Sequence, residues 1–555
     1  MEAEIGEEII EKVVKEFKIK GLFSEYLPSN FNLKSETFDI FKDIEVPNSI
    51  DYIEPYKFTM SRFKDNESRR VIHLPEITAY ISAVNYMDSE KIIKELIELS
   101  AESENSFSQI VQSNGEILKH ETSYGYFEDE GVDESRFIQS TYIPNIAEKI
   151  KRAQGGKGIL YLDISNFYGS VYTHIFPAIL LGYDKAIEQY KYFQGNKADG
   201  RISDIYKRYE KLDGKVRGLN SNRTNGLLTG PLLSFFLAEA LLTRIDQEIE
   251  SVGVSFVRYV DDFEIIIYED KDIDLYKTII PDILGKYHFS INNEKTKYVK
   301  FPYYVVENLQ MIYEEYVSSK AESNDLIKIF NKYFNLENEG NKGAIRYLVK
   351  SINERFQVKD YELYVSYLLN ILVNDNRSLI KVCELIIKDK DKLTFGDNHI
   401  KIIKKLILQY VRDKKDLEVI WLIYLLKNLG VNSIERDIVK NVIRSKNELA
   451  IIMIIEEYTE DLDDNIMDEL TALSSSWILL YQLFLKNYIS TDEFENRVGL
   501  NKSKHFYRKL KYNCFTFYKL IADDSRTKFP FWIKVGNGVN VKLMNNLIPE
   551  EKLKS

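Results

Sequence analysis

The chain has 555 residues, of which 44% are hydrophobic, and a formal net charge of −11. This length exceeds one ordinary core, so we expect about three or four units of roughly 150 residues. No apolar run is long enough to span a bilayer, and the acidic start lacks the order of a signal peptide. Cys383 and Cys514 are the only cysteines and lie far apart, which argues against disulfides and structural zinc. We therefore expect a cytoplasmic protein that has no membrane partner.

Charge and composition both change near residue 310. Residues 1–310 carry 37 Lys and Arg against 51 Asp and Glu, a net charge of −14, and residues 311–555 carry 38 against 35, a net charge of +3. An acidic N-terminal half excludes a long basic surface for duplex nucleic acid. Strand-like and helical runs alternate up to residue 310, and helical spacing dominates afterwards. The sequence predicts an α/β unit over 1–310 and a helical unit over 311–555.

The first candidate binding segment is basic. Arg62–Pro75 concentrates arginines and a lysine inside the acidic half. Such a cluster is suited to a triphosphate. An ordinary surface patch with acidic neighbours stays open as the alternative.

A buried strand follows over Ile159–Ile164, which is apolar nearly throughout and includes Asp163 near its end. A carboxylate at that position either caps a following helix or binds a cation. Taken alone, the segment does not decide between the two.

A glycine-rich loop precedes an apolar helix. The loop is Arg223–Ser234 and the helix is predicted over Phe235–Leu242. Gly226 and Gly230 allow the backbone to approach a ligand closely, and Pro231 is suited to open a helix. Backbone N–H groups here can face a nucleotide or a template base. A plain loop-to-helix turn would have the same pattern.

The most informative segment is Ser255–Tyr268, where β-branched and aromatic residues flank Asp261 and Asp262. This pattern predicts a β-hairpin whose tight turn contains both acids. Adjacent carboxylates repel each other unless a cation neutralises them. Two Mg²⁺ ions bound by these oxygens and by Asp163 would do so, in the arrangement that serves nucleotidyl transfer.

A lysine follows the hairpin. Leu284–Lys297 reads as an apolar stretch that leads into Lys295. A lysine here is placed to protonate a leaving pyrophosphate, and a solvated loop lysine is the alternative.

Helical apolar spacing recurs after residue 310, with short polar breaks between segments. A HEAT-like stack of helix pairs fits this pattern, and a plain helical bundle is the alternative. The apolar residues cover more than one helix face, so we expect this unit to pack on the α/β unit and to support a homo-oligomer. The predicted helices are Asp360–Leu372, Ser378–Ile387, Ile400–Val411, Leu417–Leu426 and Ser476–Leu485.

Taken in chain order, these segments resemble the motifs of the reverse transcriptase family over about residues 20–305. Asp163–His174 resembles motif A and Thr224–Ser234 resembles motif B. Tyr259–Asp262 is similar to the YxDD motif C, and Asn292–Thr296 resembles motif D, with Lys295 as its lysine.

Two further segments narrow the resemblance to bacterial Abi-type, defence-associated reverse transcriptases. Phe167–His174 resembles their "FY-x-SIYTH" segment, and Leu22–Phe31 resembles their "LP-x-x-F" segment. Ala238–Glu239 also matches their extension of motif B. Leu228 departs from the family by replacing its motif B proline, and Asn225 stands where many members have Gln, which puts the contact to a template base in doubt.

The resemblance implies a role for each matched residue. Asp163, Asp261 and Asp262 would be catalytic and would bind two Mg²⁺ ions, with Lys295 as a further catalytic residue. Tyr168, five residues after Asp163, would exclude a ribose 2′-OH and so select deoxynucleotides. The remaining substrate-binding candidates are Lys64 and Arg70, with Arg69 as a competitor, together with Asn225 and Gly226.

The resemblance also implies an architecture and a function. It implies an α/β palm and fingers with a ferredoxin-like palm, followed by an all-α, HEAT-like C-terminal domain, which we expect to pack on the palm. The function would be DNA synthesis in bacterial anti-phage defence, from deoxynucleoside triphosphates to single-stranded DNA, with the use of an RNA template left open. One alternative is a retron-like templated enzyme with a dedicated noncoding RNA, and another is a non-catalytic nucleic-acid-binding scaffold.

Abi-type enzymes also imply template-independent synthesis that begins on a tyrosine hydroxyl and leaves the DNA covalently attached. The acidic catalytic half fits such an enzyme, because it need not hold a long primer–template duplex. The sequence favours Tyr26 as the priming residue, in a segment expected to be mobile, with Tyr52 and Tyr56 as rivals.

Overall fold

The computed structural model shows an α/β half followed by a mainly helical half. The α/β half is built on a four-stranded antiparallel sheet. No helix in the described ranges combines the length and the apolar character needed to cross a bilayer. The residues described are 6–33, 50–62, 68–101, 103–109, 138–139, 148–304, 309–352, 355–393, 395–521, 531–535 and 539–543.

The elements up to residue 304 alternate between strands and helices. The strands are β1 (Tyr56–Ser61), β2 (Arg69–Leu74), β3 (Ile138–Gln139), β4 (Gly158–Asp163), β5 (Phe256–Tyr259), β6 (Asp262–Ile267) and β7 (Lys297–Lys300). The helices are α1 (Glu7–Lys20), α2 (Ile77–Ser89), α3 (Ile92–Ala101), α4 (Phe167–Ser170), α5 (Pro177–Leu181), α6 (Tyr183–Gly195), α7 (Asp204–Leu219), α8 (Leu232–Ser251) and α9 (Asp272–Lys286), with a 3₁₀ turn at Thr173–Ile175.

The central sheet has the order β5–β6–β4–β7, and each neighbouring pair is antiparallel. Helices connect β4 to β5 and β6 to β7, and a hairpin connects β5 to β6. This order and these connections are those of the predicted ferredoxin-like sheet. Strand β4 lies in the middle and is buried at five of its six residues, which explains its continuous apolar run.

A second, two-stranded sheet consists of β1 and β2. The strands are antiparallel, with Tyr56 opposite Leu74 at one end and Ser61 opposite Arg69 at the other. Helix α2 follows directly. Its N-cap is Glu76, whose carboxylate accepts hydrogen bonds from the N–H groups of Thr78 and Ala79. The cap fixes the direction in which the chain leaves the hairpin.

The chain from residue 309 to residue 512 forms a succession of helices. The predicted helices in this region are present, with ends shifted by a few residues. The helices are α10 (Leu309–Val317), α11 (Ser323–Asn338), α12 (Ala344–Ser351), α13 (Tyr361–Asn374), α14 (Leu379–Lys388), α15 (Asp397–Arg412), α16 (Asp416–Asn428), α17 (Arg436–Ser445), α18 (Glu448–Glu457), α19 (Asp464–Leu473), α20 (Trp477–Leu485), α21 (Thr491–Val498) and α22 (Lys504–Tyr512).

Alternate helices of this half pack against one another. One row runs through α12, α14, α16, α18 and α20, and a second row contains α15, α17 and α19. Contacts between every second helix are typical of stacked helix pairs. The boundary at residue 310 and the HEAT-like assignment stay predictions.

The expectation of an all-α C-terminal unit is wrong near its end. Strands β8 (Phe531–Val535) and β9 (Val539–Leu543) pair antiparallel, and β9 also pairs with β3. Both segments are rich in β-branched and aromatic residues and are separated in sequence by Gly-Asn-Gly. This is a strand-and-turn pattern that should have predicted a hairpin.

The helical half docks on the β1–β2 hairpin, whereas the sequence led us to expect packing on the palm. Thr59 of β1 donates its N–H to the Asp416 carboxylate at 2.8 Å, and its hydroxyl donates to the Lys414 carbonyl at 2.7 Å. Arg69 of β2 forms an ion pair with Glu418. Strand β1 is an edge strand, and Asp416 at the start of α16 pairs with one of its outward main-chain groups, the Thr59 N–H.

Helix α16 also removes the argument for a homo-oligomer. Its run Leu417–Leu426 is buried at every position, against α14, α15, α18 and β1 of the same chain. An all-round apolar helix in the centre of the protein requires no second copy. The homo-oligomer itself stays a prediction.

The joint between the two halves gives a first testable prediction. The buried indole N–H of Trp421 donates to the Tyr26 carbonyl at 2.8 Å, and Trp421→Phe removes this hydrogen bond. The matched control is Trp477→Phe, because Trp477 is equally buried and its Nε1 has no hydrogen-bond partner within the described structure. We expect Trp421→Phe to lower the free energy of unfolding by about 1–3 kcal/mol more than the control, measured by urea denaturation. Equal losses would contradict the docking described here.

Candidate active site

Three carboxylates lie at one end of the central sheet. Asp163 is the last residue of β4 and Asp262 is the first residue of β6, and the strand register places them directly opposite each other. The N–H of Ile164 donates to the Asp261 carbonyl at 3.2 Å, which fixes the third acid beside them. Residues 99 positions apart in the sequence are therefore brought together by the β4–β6 pairing.

Lys295 joins this cluster. Its Nζ lies 2.5 Å from Oδ1 of Asp163. The loop that carries it is tied to the same strand, since the N–H of Asn292 donates to the Asp163 carbonyl at 2.7 Å and the N–H of Lys295 donates back to the Asn292 carbonyl at 3.2 Å. The structure thus excludes a purely solvated loop lysine. It also excludes Asp163 as a helix cap, because α4 begins after Asn166.

Burial and neighbouring charges shift the pKa values of Asp261 and Asp262. Burial, followed by the charges of Asp261 and Asp163, raises the pKa of Asp262 to about 7. Burial also raises the pKa of Asp261, and Asp163 adds to that rise, while Lys295 and Arg70 oppose it. The protein itself therefore supplies less positive charge than three ionised carboxylates require.

The donor chemistry of the cluster fits a hard divalent cation, because carboxylate oxygens are the ligands that Mg²⁺ takes. In the part of the chain described, however, no three His, Cys, Asp or Glu side chains are already arranged to hold a metal ion. The Asp163 carboxylate is paired with the Lys295 ammonium. A cation would take the place of that contact.

Arg69 and Arg70 have different partners. Successive residues of a strand point to opposite faces of the sheet. Arg69 pairs with Glu418 of the helical half, whereas Arg70 is exposed and lies close enough to lower the pKa of Asp261 and of Tyr168. Arg70 thus lies within electrostatic range of Asp261 and Tyr168, whereas Arg69 is paired with the helical half. Lys64 lies outside the described residues.

Tyr168 is held beside the carboxylates by aromatic packing. Its ring lies 5.1 Å from that of Phe167 and 5.4 Å from that of Phe235, measured between centroids. Burial and then the charge of Asp261 raise the pKa of the Tyr168 phenol, which therefore stays neutral. A rigid aromatic ring next to the acids is the arrangement that a sugar-excluding side chain needs.

The glycine-rich loop, residues 223–234, packs against the segment that carries Tyr168. The Gly226 N–H donates to the Val171 carbonyl and the Leu227 N–H to the Tyr168 carbonyl, both at 2.8 Å, while Asn225 forms a bridge to Tyr172. Gly226 has a φ of +89°, and an added Cβ would lie 3.3 Å from a backbone oxygen of Gly169. Asn225 and Gly226 are therefore neighbours of Tyr168, and whether they touch substrate stays a prediction.

The same loop also contacts the β1–β2 hairpin. The N–H of His73 donates to the Thr229 carbonyl at 2.7 Å, and a Cβ on Gly230 would lie 2.7 Å from the His73 carbonyl oxygen. Pro231 is the N-cap of α8, as predicted, although the helix runs further than the predicted segment. Gly230 thus permits the hairpin that carries Arg70 to lie close to the palm.

Tyr26 is not in a mobile segment. It is 5% exposed, and its carbonyl accepts the Trp421 hydrogen bond described above. The sequence could not show this, because the partner lies 395 residues away. Tyr56 is also buried, with its hydroxyl accepting from the Glu448 N–H at 2.9 Å, whereas Tyr52 is 57% exposed.

Sequence reasoning assigned no role to the buried residues behind the hairpin turn. Arg258 in β5 is fully buried between Glu239 and Asp246 of α8, and Ser108 contacts the same group. A signal was present, because an arginine inside an apolar strand needs carboxylate partners and α8 offers two acids within an apolar run.

Comparison with known proteins agrees with this geometry. Residues 84–309 match the family model described as "Reverse transcriptase (RNA-dependent DNA polymerase)". This segment, which includes the whole central sheet and all three acids, is a reverse transcriptase domain. The chain is a nucleotidyltransferase of the RNA-directed DNA polymerase class, and polymerases of this family use divalent metal ions.

Two solved structures are also similar. Apo telomerase from Candida tropicalis shares 10% identity over 77% of this chain and 70% of that chain, with a TM-score of 0.30. Telomerase from Candida albicans in complex with a TWJ fragment of telomeric RNA shares 12% identity over 84% and 70%, with a TM-score of 0.29. Likeness at this level carries no conclusion about function. A search of curated proteins found no match.

The aromatic wall at Tyr168 gives the second prediction. Tyr168→Val removes the ring that would meet a 2′-OH, so the ratio of ribonucleotide to deoxynucleotide incorporation should rise roughly tenfold or more in single-nucleotide extension assays. Tyr168→Phe is the matched control, because it keeps the ring and should leave the ratio within about twofold. An unchanged ratio in Tyr168→Val would mean that another residue selects the sugar.

Proposed function

We propose that this enzyme is a magnesium-dependent DNA polymerase of bacterial anti-phage defence, which extends DNA from deoxynucleoside triphosphates. The observation that carries the catalytic part is the placement of Asp163 opposite Asp262, with Asp261 and Lys295 in the same cluster. The β4–β6 pairing holds these acids together although burial and mutual repulsion disfavour their ionised forms. Clusters of like charges with shifted pKa values are typical of functional sites.

In this proposal Asp163, Asp261 and Asp262 hold two Mg²⁺ ions. When bound, the ions activate the attacking oxygen and neutralise charge on the phosphates. The Lys295 ammonium, released from Asp163, donates a proton to the departing pyrophosphate. Arg70 supplies positive charge to the triphosphate from the β1–β2 hairpin, with Lys64 as its predicted companion.

The assignment to defence rests on the resemblance of Phe167–His174 and Leu22–Phe31 to Abi-type enzymes. The structure supplies physical support for the first segment. Residues 167–173 form the surface on which the glycine-rich loop packs, since Thr173 donates both its N–H and its hydroxyl to the Thr224 carbonyl. This segment carries Tyr168 and borders the glycine-rich loop, so we take its sequence to indicate the type of polymerase.

We further propose that synthesis needs no added template and starts on a tyrosine. The acidic charge of residues 1–310 supports this, because a short primer complex requires few phosphate contacts. Among the tyrosines considered, the burial of Tyr26 and Tyr56 leaves Tyr52 as the candidate. Tyr52 is exposed, and Glu54, two residues later, pairs with Arg223 at the start of the glycine-rich loop.

The carboxylates give the third prediction. Asp261→Asn should reduce the rate of nucleotide transfer by roughly a thousandfold or more, because it removes a charge that the ions require. It should not lower thermal stability, since the raised pKa of Asp261 shows that its ionised form is unfavourable in the fold. Asp274→Asn on α9 is the control, because that acid is exposed and outside the cluster. Full activity of Asp261→Asn would contradict the catalytic assignment.

The fourth prediction concerns initiation. Purified protein incubated with Mg²⁺ and labelled deoxynucleotides, without template, should acquire label that stays with the protein under denaturing conditions. Mass spectrometry of the digested protein should find a nucleotide on the peptide containing Tyr52, and Tyr52→Phe should abolish it, because only a hydroxyl can be the nucleophile. Tyr488→Phe, on an exposed tyrosine of the helical half, is the control.

Two outcomes would contradict this account of initiation. DNA product with a free 5′ end, together with no adduct on any tyrosine, would contradict the proposal that the protein is the primer. Synthesis that occurs only after RNA is added would favour the retron-like, templated alternative.

A further inference from the structure

A buried ionic group contacts the turn between β5 and β6, which consists of Val260 and Asp261 and leads directly into Asp262. Arg258 is 0% exposed, and its Nε and Nη2 donate to Asp246 at 2.9 and 2.6 Å. Its Nη1 and Nη2 donate to Glu239 at 3.0 and 2.9 Å. Ionic groups of this kind rarely improve stability over apolar packing, so a role beyond stability should be sought.

The group binds both polar backbone atoms of Val260. The Nη1 of Arg258 donates to the Val260 carbonyl at 2.9 Å, and the Val260 N–H donates to the Ser108 hydroxyl at 2.8 Å. The Ser108 hydroxyl in turn donates to Oε2 of Glu239 at 3.1 Å. Val260 is thus fixed from both sides by a single network.

Val260 needs such support because its backbone is strained. Its φ is +55°, in the left-handed region that β-branched residues avoid. Strained residues persist only where the surrounding structure holds them. Asp261 and Asp262 follow immediately, so the conformation of Val260 determines the direction in which both carboxylates project.

Ser108 is itself anchored to the hairpin. The Arg258 N–H donates to the Asn105 carbonyl, and the Phe107 N–H donates to the Arg258 carbonyl, both at 2.8 Å. These bonds place residues 103–109 along the outer edge of β5. The hydroxyl of Ser108 therefore reaches Val260 from a segment that is hydrogen-bonded to β5.

We propose that Ser108 and Arg258 are positioning residues that hold Val260 in its left-handed conformation and so aim Asp261 and Asp262. The inference rests on the proposed function, in which these two acids are catalytic. It predicts that loosening the turn lowers turnover while nucleotide binding and the fold are retained, because misplacement of a catalytic group by about 1 Å can cost two orders of magnitude in rate.

The experiment compares Ser108→Ala with Ser106→Ala in the full-length protein. Ser106 is the control, because its hydroxyl belongs to the same network but its contacts in the described structure do not include Val260. This hydroxyl donates to Glu239 at 2.5 Å, lies 3.3 Å from the Ser108 hydroxyl and accepts from the Ser108 N–H at 3.2 Å. Ser108→Ala should lower kcat for deoxynucleotide transfer about 10- to 100-fold, with KM for the nucleotide and the melting temperature close to those of Ser106→Ala. Amide exchange at Val260 should also become faster in Ser108→Ala alone.

A second substitution distinguishes loss of the Val260 conformation from a general structural defect caused by Ser108→Ala. Glycine adopts a φ of +55° without support. Adding Val260→Gly to Ser108→Ala should therefore recover most of the lost kcat, which a merely structural defect would not do. If Ser108→Ala keeps the kcat of Ser106→Ala, or if Val260→Gly does not restore it, the positioning role is overturned.

The experiment distinguishes failure of the positioning role from failure of the proposed function. An inactive Asp261→Asn together with a fully active Ser108→Ala would overturn the positioning role alone. An active Asp261→Asn would overturn the catalytic assignment and the inference together. The exchange measurement at Val260 reports on the turn in either case, because it does not depend on catalysis.

Discussion

Mutual repulsion among Asp163, Asp261 and Asp262 is the constraint on which the rest of the structure depends. Three carboxylates lie this close to one another only where the fold holds them together, because their negative charges repel. The β4–β6 register places two of them opposite each other, and the turn adds the third. Lys295 relieves part of the charge from one side. The remaining imbalance is what a divalent cation would correct.

The helical half has an indirect part in this arrangement. It binds one face of the β1–β2 hairpin through Thr59 and Arg69. Because side chains alternate along a strand, docking on that face leaves Arg70 on the other, towards the acids. The glycine-rich loop, through Thr229 and Gly230, closes the hairpin onto the palm. The helical half thus helps to place Arg70, the side chain that we propose binds the triphosphate.

Much of the site was predictable because local patterns encode it. The apolar strand that ends at Asp163 and the hairpin around Asp261 and Asp262 both follow from residue spacing, and the structure contains both. The predicted turn is wrong by one residue, because Val260 and Asp261 form it and Asp262 is already the first residue of β6. The helices after residue 310 follow from their apolar period. These features depend on residues that are close in sequence, which is where pattern reasoning is strongest.

What could not be predicted depends on distant partners. The choice between Arg69 and Arg70 requires knowing that Glu418 lies beside β2, and the burial of Tyr26 requires knowing the position of Trp421. The apolar surface of α16 was attributed to another copy because its neighbours within the chain were unknown. The final β-hairpin was missed for a different reason, since its local pattern was present but was not used.

The central claim is that the three carboxylates form a cation site, and Mn²⁺ binding tests it without reference to activity. Electron paramagnetic resonance should follow free Mn²⁺ during titration of the wild-type chain and of Asp163→Asn, each with and without a deoxynucleoside triphosphate. The account predicts that the wild-type chain with nucleotide removes Mn²⁺ from solution beyond what the nucleotide alone binds, and that Asp163→Asn loses this excess. Equal binding by the two proteins would contradict the account.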